Sequence, residues 1–331
     1  MKYYKRHRIP RGFVFLNDKS TKVLQDKTRA TQDYLVAADY IRVMPPALDY
    51  PETFELYDKA GFFSTVDQNG DRLALRSDVT VQVIKSFAHQ LEVEAASNEV
   101  HRFYYTVPVF RNLKREYPPL REVIQSGAEI IGEKSELAII ELIELASEVF
   151  QGALGKDLHV VVSDVRINKA LRKLITNKNQ QIDFEQYVLF KNAPELAKLL
   201  ESCGWTKEAS LKLSREFLFP NPKGDLVKEI VSLIQGHHDK VKIQELSNTF
   251  LSCAKSLQMI VEKCAIPSKN IHWEPMLTRK TQYYSSFIFE GYIPDVSYPP
   301  LRGGSYDNLL REYSDYDLPA SGFALDMNAF I

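Results

Sequence analysis

The chain has 331 residues, 44% hydrophobic and 26% charged, the balance of a soluble globular protein with apolar material for one large domain or two unequal ones. Lys plus Arg total 42 against 43 Asp plus Glu, a formal net charge of -1, so the chain lacks the basic surplus with which nucleic-acid binders neutralise phosphates. Cys203, Cys253 and Cys264 are too few and too far apart for a disulfide framework or a zinc knuckle, and reduced thiols in the cytoplasm are expected.

The basic start MKYYKRHRIPRGFVF carries only a short apolar patch before Asp18, which predicts no secretory signal. No run approaches the ~20 apolar residues of a membrane span. A mixed-charge helix is predicted from about Asn17 to Ala38. YIRVMPPALDY then reads as a strand halted by Pro45 and Pro46. FFSTVDQNGDRLALRS reads as a hairpin turning at Asn69-Gly70. DVTVQVIKSFAHQ follows as a helix with Val79, Val83, Ile84 and Phe87 on one stripe. VHRFYYTVPVFRN and LREVIQSGAEIIG form a strand pair across a polar loop, ELAIIELIELASEVF an amphipathic helix and HVVVSD a short buried strand. From about Val165 to Ala265 the segments INKALRKLI, PELAKLLESC, LVKEIVSLI and QELSNTFLSCAKSLQMIVEKC read as successive helices. NIHWEPM, YYSSFIFEGYI and SGFALDMNAFI then return to strand texture. The order, mixed then helical then mixed, predicts an α+β domain with a helical insertion.

Dinucleotide, Walker, H-E-x-x-H and G-x-S-x-G motifs are absent. Adjacent His237 and His238 point in different directions on a helix, so a solvated pair is expected there and not a metal site. Three constellations could carry chemistry. LALRSDVTVQV brings Asp78 and Thr80 just past a strand. PVFRN starts a loop at Arg111, and REVIQSGAEIIG sets Gln125 and Glu129 on one face of a strand. TRKTQYYSSFIFEGY offers Arg279 with Tyr283 and Tyr284, and RGGSYDNLL follows with Gly303-Gly304, where a backbone could approach closely. Each alone fits a solvated carboxylate or a packing tyrosine. Gln125 and Glu129, however, stand among Val123, Ile124, Ala128, Ile130 and Ile131, and a buried polar group without a partner costs roughly 1–3 kcal/mol. A zwitterionic amino acid would supply partners of both signs.

PVFRN with LREVIQSGAEIIG resembles motif 2 of class II aminoacyl-tRNA synthetases in its histidyl form. LRSDVT resembles the L-R-P-E/D-x-T segment before it, and ADYIRVMPP resembles motif 1, which builds the family's dimer interface. RKTQYY resembles the first histidine motif (R-G-L-D-Y-Y), RGGSYDNLL the second (G-G-R-Y-D), and SGFALDMNAFI motif 3. The matches run in order from about Ile9 to the last residue and miss only the helical stretch. The resemblance implies an α+β fold of the class II synthetase type, an antiparallel sheet flanked by helices. Its core would fall in two parts, 1–164 and 266–331, around a helical insertion at 165–265, with no anticodon-binding domain.

The departures bear on activity. Leu113 holds the place of the motif 2 glutamate, and Ala329 that of the motif 3 arginine, GFALDMNA lying over G-F-A-L-G-L-E-R. Losing a cation aimed at triphosphate typically removes orders of magnitude in rate. Lys280-Thr281-Gln282 replaces Gly-Leu-Asp, and Ser305 replaces an Arg. The resemblance thus implies no catalytic residues, metal or cofactor, but a retained histidine pocket. In it Asp78 and Thr80 would hold the ammonium, Arg111 and Gln125 the carboxylate, and Glu129 and Tyr284 would face the imidazole, with Tyr283 and ligand-facing Arg279 beside them. A synthetase core of this kind is similar to the regulatory-subunit family of ATP phosphoribosyltransferase. That likeness implies a homodimer through motif 1, a short-form catalytic subunit as partner in a larger hetero-oligomer, and L-histidine as effector of the first step of histidine biosynthesis. Nucleic acid and membrane are not expected as partners. Two other readings stand beside it: a stand-alone synthetase-like enzyme that activates or transfers an amino acid, and a scaffold of the same fold without a ligand.

Overall fold

The computed structural model describes residues 8–55, 61–93, 99–112, 120–220, 225–237, 239–279 and 283–331. The chain forms two compact units, one made of Met1–Leu158 with Gly291–Ile331, the other of His159–Glu290.

The first unit begins with helix α1 (Asp18–Ala37). The Asn17 side chain accepts the Ser20 N–H at 2.9 Å, supplying a bond the first turn cannot make for itself. The helix gives way at Asp39, whose φ of 62° is left-handed. Pro45-Pro46 then halts the strand, because proline has no N–H to give a ladder, and a second short strand follows it. On one side of the pair, β1 (Ile41–Arg42) runs parallel to the later strand His101–Phe110. On the other, β2 (Leu48–Asp49) joins β3 (Phe63–Val66) and β4 (Arg72–Leu75), which come after the single helical turn α2 (Glu52–Glu55), in a three-stranded sheet of order β2-β4-β3. The β3–β4 hairpin is wider than a two-residue turn: Val66 pairs with Arg72, and only Gly70 takes a positive φ, 92°. The Asp67 carboxylate organises the loop by accepting the N–H groups of Asn69 and Asp71 at 2.8 and 2.9 Å.

Arg76 joins the two sheets. It is 4% exposed, and its guanidinium donates to the carbonyls of Pro45 and Pro108 at 2.6 Å each. Helix α3 (Thr80–Val93) follows, then the long strands β5 (His101–Phe110) and β6 (Glu122–Ile131), and α4 (Ser135–Glu148), which runs into a π turn at Val149–Leu154. Val79 and Val83 pack with Tyr105, Val107, Val109 and Val123, which seats the start of α3 on the sheet.

The second unit holds β7 (His159–Asp164), the helices α5 (Val165–Lys173), α6 (Lys178–Leu189), α7 (Ala193–Ser202), α8 (Lys207–Leu218), α9 (Leu226–Gln235) and α10 (Lys240–Lys263), then β8 (Ile271–Trp273), parallel to β7. The strand β9 (Phe287–Tyr292) begins in this unit. Asp164, Asn177, Asn192, Thr206 and Asp225 each accept a backbone N–H of the helix they precede, which is why this stretch breaks into short helices. Their apolar faces meet around Leu171, Phe184, Leu200, Trp205, Phe217 and Phe250. His237 is not the solvated residue expected. It is 1% exposed, packs edge-on against Trp205 at 4.5 Å between centroids, and its Nδ1 accepts the Asp239 N–H, which leaves Nε2 to donate to the Cys203 carbonyl at 3.0 Å. His238 lies outside the described residues.

The chain re-enters the first unit with β10 (Leu301–Ser305) and β11 (Ala320–Asp326), followed by a 3-10 turn at Met327–Phe330. The strand order there is β1-β5-β6-β11-β10. These pairs are antiparallel except the short parallel edge β1–β5, so the sheet is mixed and β6 lies in the middle of the first unit's strands. No helix among the described residues is long and apolar enough to cross a membrane.

Candidate functional site

Alternation along β6 turns Gln125, Gly127 and Glu129 to one face. The ladder sets Glu129 in a row with Phe103, Gly322 and Gly304, Gly127 with Tyr105, Ala324 and Arg302, and Gln125 with Val107 and Asp326. Two glycines in these rows are spatial requirements. A Cβ at Gly127 would run into the Tyr105 ring and hydroxyl, and one at Gly322 into the Glu129 carboxylate and the Tyr306 hydroxyl. Close approaches of the kind expected at Gly303-Gly304 are met at Gly127 and Gly322.

Glu129 is fully buried. The Thr80 hydroxyl donates to its Oε1 at 2.7 Å, and the Tyr306 hydroxyl reaches its Oε2. Burial dominates over these donors, with the Asp78 charge adding to it, and pushes the carboxyl up to about 8. At neutral pH Glu129 therefore keeps its proton. Asp78 is half-buried at the start of α3, where its carboxylate meets the Val81 N–H at 3.4 Å. From the other end of the face, Arg111 donates to Gln125 Oε1 at 3.1 Å, and Gln125 donates through Nε2 to the Tyr105 hydroxyl oxygen at 2.9 Å. Burial raises the Tyr105 hydroxyl well above its usual range, with Glu129 and Asp78 adding to the effect, so Tyr105 stays a neutral phenol.

Asp326 stands directly opposite Gln125. Its Oδ2 accepts the Tyr298 hydroxyl at 3.0 Å and its Oδ1 the Asn328 N–H at 2.9 Å. Burial raises its carboxyl, while Tyr298, the Asn328 N–H, Arg111 and Arg302 pull the other way. The Asn328 side chain in turn accepts the Ile124 N–H at 2.8 Å, which fixes the turn carrying Ala329. Ser305 is on the opposite face from Gly304 and accepts a hydrogen bond from Ser321 at 2.9 Å, so its replacement of a family arginine leaves this face unchanged. Leu113 and 280–282 lie outside the described residues.

The other expected residues belong to the second unit. Arg279 pairs with Glu290, the two side chains 13% and 9% exposed. Tyr283 and Tyr284 have ring centroids 4.9 Å apart. Tyr284 packs on Val165, Leu277 and Ile288 and accepts from Lys169 Nζ at its carbonyl, 2.9 Å away. Asp78, Thr80, Arg111, Gln125 and Glu129 are thus brought to one face of the first unit, with Tyr105, Arg302, Tyr306 and Asp326, which sequence reasoning does not single out. Tyr306 and Arg302 sit inside RGGSYD, and Asp326 is the one acid in the apolar run SGFALD; these are the signals the sequence offers for them.

The face offers the Asp78 carboxylate and the Glu129 carboxyl at one end and a guanidinium with an amide at the other, which suits a small zwitterion. It presents no cluster of His, Cys, Asp or Glu able to hold a metal ion among the described residues.

Comparison with known proteins gives a family. The histidyl-tRNA synthetase family profile matches residues 12–330. A protein of Leptospira interrogans named ATP phosphoribosyltransferase regulatory subunit is 27% identical over 97% of this chain and 92% of its own length. A histidine–tRNA ligase of Pyrobaculum aerophilum is also 27% identical, over 86% of this chain and 65% of its own. In fold, the chain resembles an ATP phosphoribosyltransferase regulatory subunit/histidyl-tRNA synthetase from Bacillus halodurans, with a TM-score of 0.76 at 21% identity over 98% of this chain and 83% of that one. It also resembles a histidine–tRNA ligase subunit from Alicyclobacillus acidocaldarius, with a TM-score of 0.78 at 19% identity over 98% and 96%. The profile covers nearly the whole chain, and the chain belongs to the histidyl-tRNA synthetase family.

Proposed function

We propose that the chain is a non-catalytic regulatory subunit of ATP phosphoribosyltransferase. It activates a short-form catalytic subunit in the cytoplasm and carries feedback inhibition by L-histidine. Asp78, Thr80, Arg111, Gln125 and Glu129 form the inherited amino-acid pocket of the first unit, and the family resemblance assigns Arg279, Tyr283 and Tyr284 of the second unit to histidine as well. The chain dimerises through the motif 1 segment around Pro45-Pro46.

The observation that carries this reading is a split in what is kept on the β6 face. The Arg111–Gln125 pair and the buried Glu129 remain, while the motif 3 position meant for an arginine holds Ala329, so an amino acid finds partners and a triphosphate lacks one. Relatives named regulatory subunits, 24–27% identical over most of the chain, support the same reading.

The test is to co-express the chain with a short-form ATP phosphoribosyltransferase and assay that enzyme with and without it, over a range of L-histidine. Co-purification, activation and inhibition are expected together. A catalytic subunit equally active alone, or a complex indifferent to histidine, refutes the reading. The Pyrobaculum relative named a ligase favours a second reading, amino-acid activation, which requires histidine-dependent ATP–pyrophosphate exchange. No exchange above a protein-free control is expected.

A further inference from the structure

Asp326 occupies the place where the aligned motif has a glycine. In a strand, glycine there leaves room for close approach to the backbone. Asp326 fills that room with a carboxylate, on the same face as Gln125 and in the same row. Tyr298 and the Asn328 N–H hold its two oxygens at 3.0 and 2.9 Å, so the side chain is fixed and cannot swing clear of an incoming ligand. Gln125 in turn accepts from Arg111 at 3.1 Å, which places the acid at the cationic end of the face. Arg111 and Arg302 are thus faced by Asp326, with Asp78 further along and Glu129 protonated. The set has no surplus positive charge with which to meet a string of phosphates.

We propose that Asp326 bars polyanionic ligands, nucleoside triphosphates and phosphorylated amino-acid derivatives among them, and so restricts this pocket to a free amino acid. The proposal rests on the amino-acid-pocket reading and adds a residue that acts by repulsion, where Ala329 only fails to attract. Selectivity built this way needs an element that disfavours the wrong ligand as well as ones that favour the right one.

The experiment compares the wild-type chain with Asp326→Asn and Asp326→Gly by calorimetry, with inorganic tripolyphosphate as probe and L-histidine run in parallel. Asp326→Asn keeps the shape, and its amide can still accept from the Asn328 N–H and donate to the Tyr298 oxygen, so the fold is retained. Both variants should bind tripolyphosphate at least about tenfold more tightly than wild type, and adding Arg111→Ala should abolish the gain. Equal affinity in all three proteins, undetectable binding in all three, or a gain that survives Arg111→Ala each overturns the proposal. Absence of L-histidine binding to the wild-type chain would instead count against the amino-acid pocket, and the tripolyphosphate comparison would stand by itself.

Discussion

Replacing Glu129 by Gln should reverse the effect of pH on stability at one site. Glu129 is fully buried and held near 8 in the folded chain, against an ordinary value of 4.5. An acid raised in this way stabilises the folded state fully below pH 4.5, and that contribution is lost as pH climbs through about 8. Ionising the carboxyl in place over that interval would cost roughly 5 kcal/mol. Glutamine keeps the shape and still offers an oxygen to Thr80 or Tyr306, but it never ionises. Near pH 5 the variant should be less stable than wild type by about 0.5–1.5 kcal/mol, the worth of a rearranged hydrogen bond. Toward about pH 8.5 the order should invert, with the variant the more stable protein. Urea unfolding of both proteins at intervals across this range measures the difference directly, and other titrating groups cancel. A stability difference that stays constant with pH would show that Glu129 is not a buried, protonated acid.

The remaining predictions concern the pocket and its walls. Glu129→Ala should weaken L-histidine binding by about 1–3 kcal/mol and shift the inhibition curve of the assembled phosphoribosyltransferase to higher histidine, with its uninhibited rate near normal. An unmoved curve in an intact complex would take feedback away from this pocket. Gly322→Ala should destabilise the chain by about 1–3 kcal/mol through overpacking, since the new methyl would also lie 2.7 Å from the Ala128 carbonyl oxygen. Thermal unfolding checks this, and an unchanged midpoint would mean that the row around Glu129 has room to spare.

Much of the central sheet is legible in the sequence, because polar residues at even spacing inside an apolar run mark a strand with one face turned to a partner. The QSGAE stretch of β6 is such a case, and the strand that pairs with it follows from the alternation in HRFYYTVPVF. What periodicity does not supply is register. Tyr306 meets Glu129 across 177 residues of chain, and Asp326 meets Gln125 only because β11 aligns those two positions. The hairpin is legible from Asn69-Gly70, but its width is set by Asp67, whose side chain replaces backbone partners. His237 departs from expectation because a histidine pair looks polar in sequence. Pairing Nε2 with a carbonyl and Nδ1 with an N–H makes one of them a core residue. The two prolines do act as a stop, while the change of sheet they impose depends on β4, which offers β2 its partner.

Arg76 has a consequence for how this unit opens. Its guanidinium grips Pro45 ahead of the small sheet and Pro108 within β5, while its backbone N–H bonds Ala47 and its carbonyl takes the Phe110 N–H. Neither sheet can part from the other without stripping this buried cation of its oxygens. Amide hydrogens on β4 and β5 should therefore exchange with solvent together, as one cooperative block and not as two. The chain from Arg76 runs directly to Thr80, so the hydroxyl that meets Glu129 belongs to that same block. Whatever loosens the small sheet loosens the surroundings of Glu129 at the same moment, and a ligand bound at Glu129 should slow exchange in a hairpin it never touches.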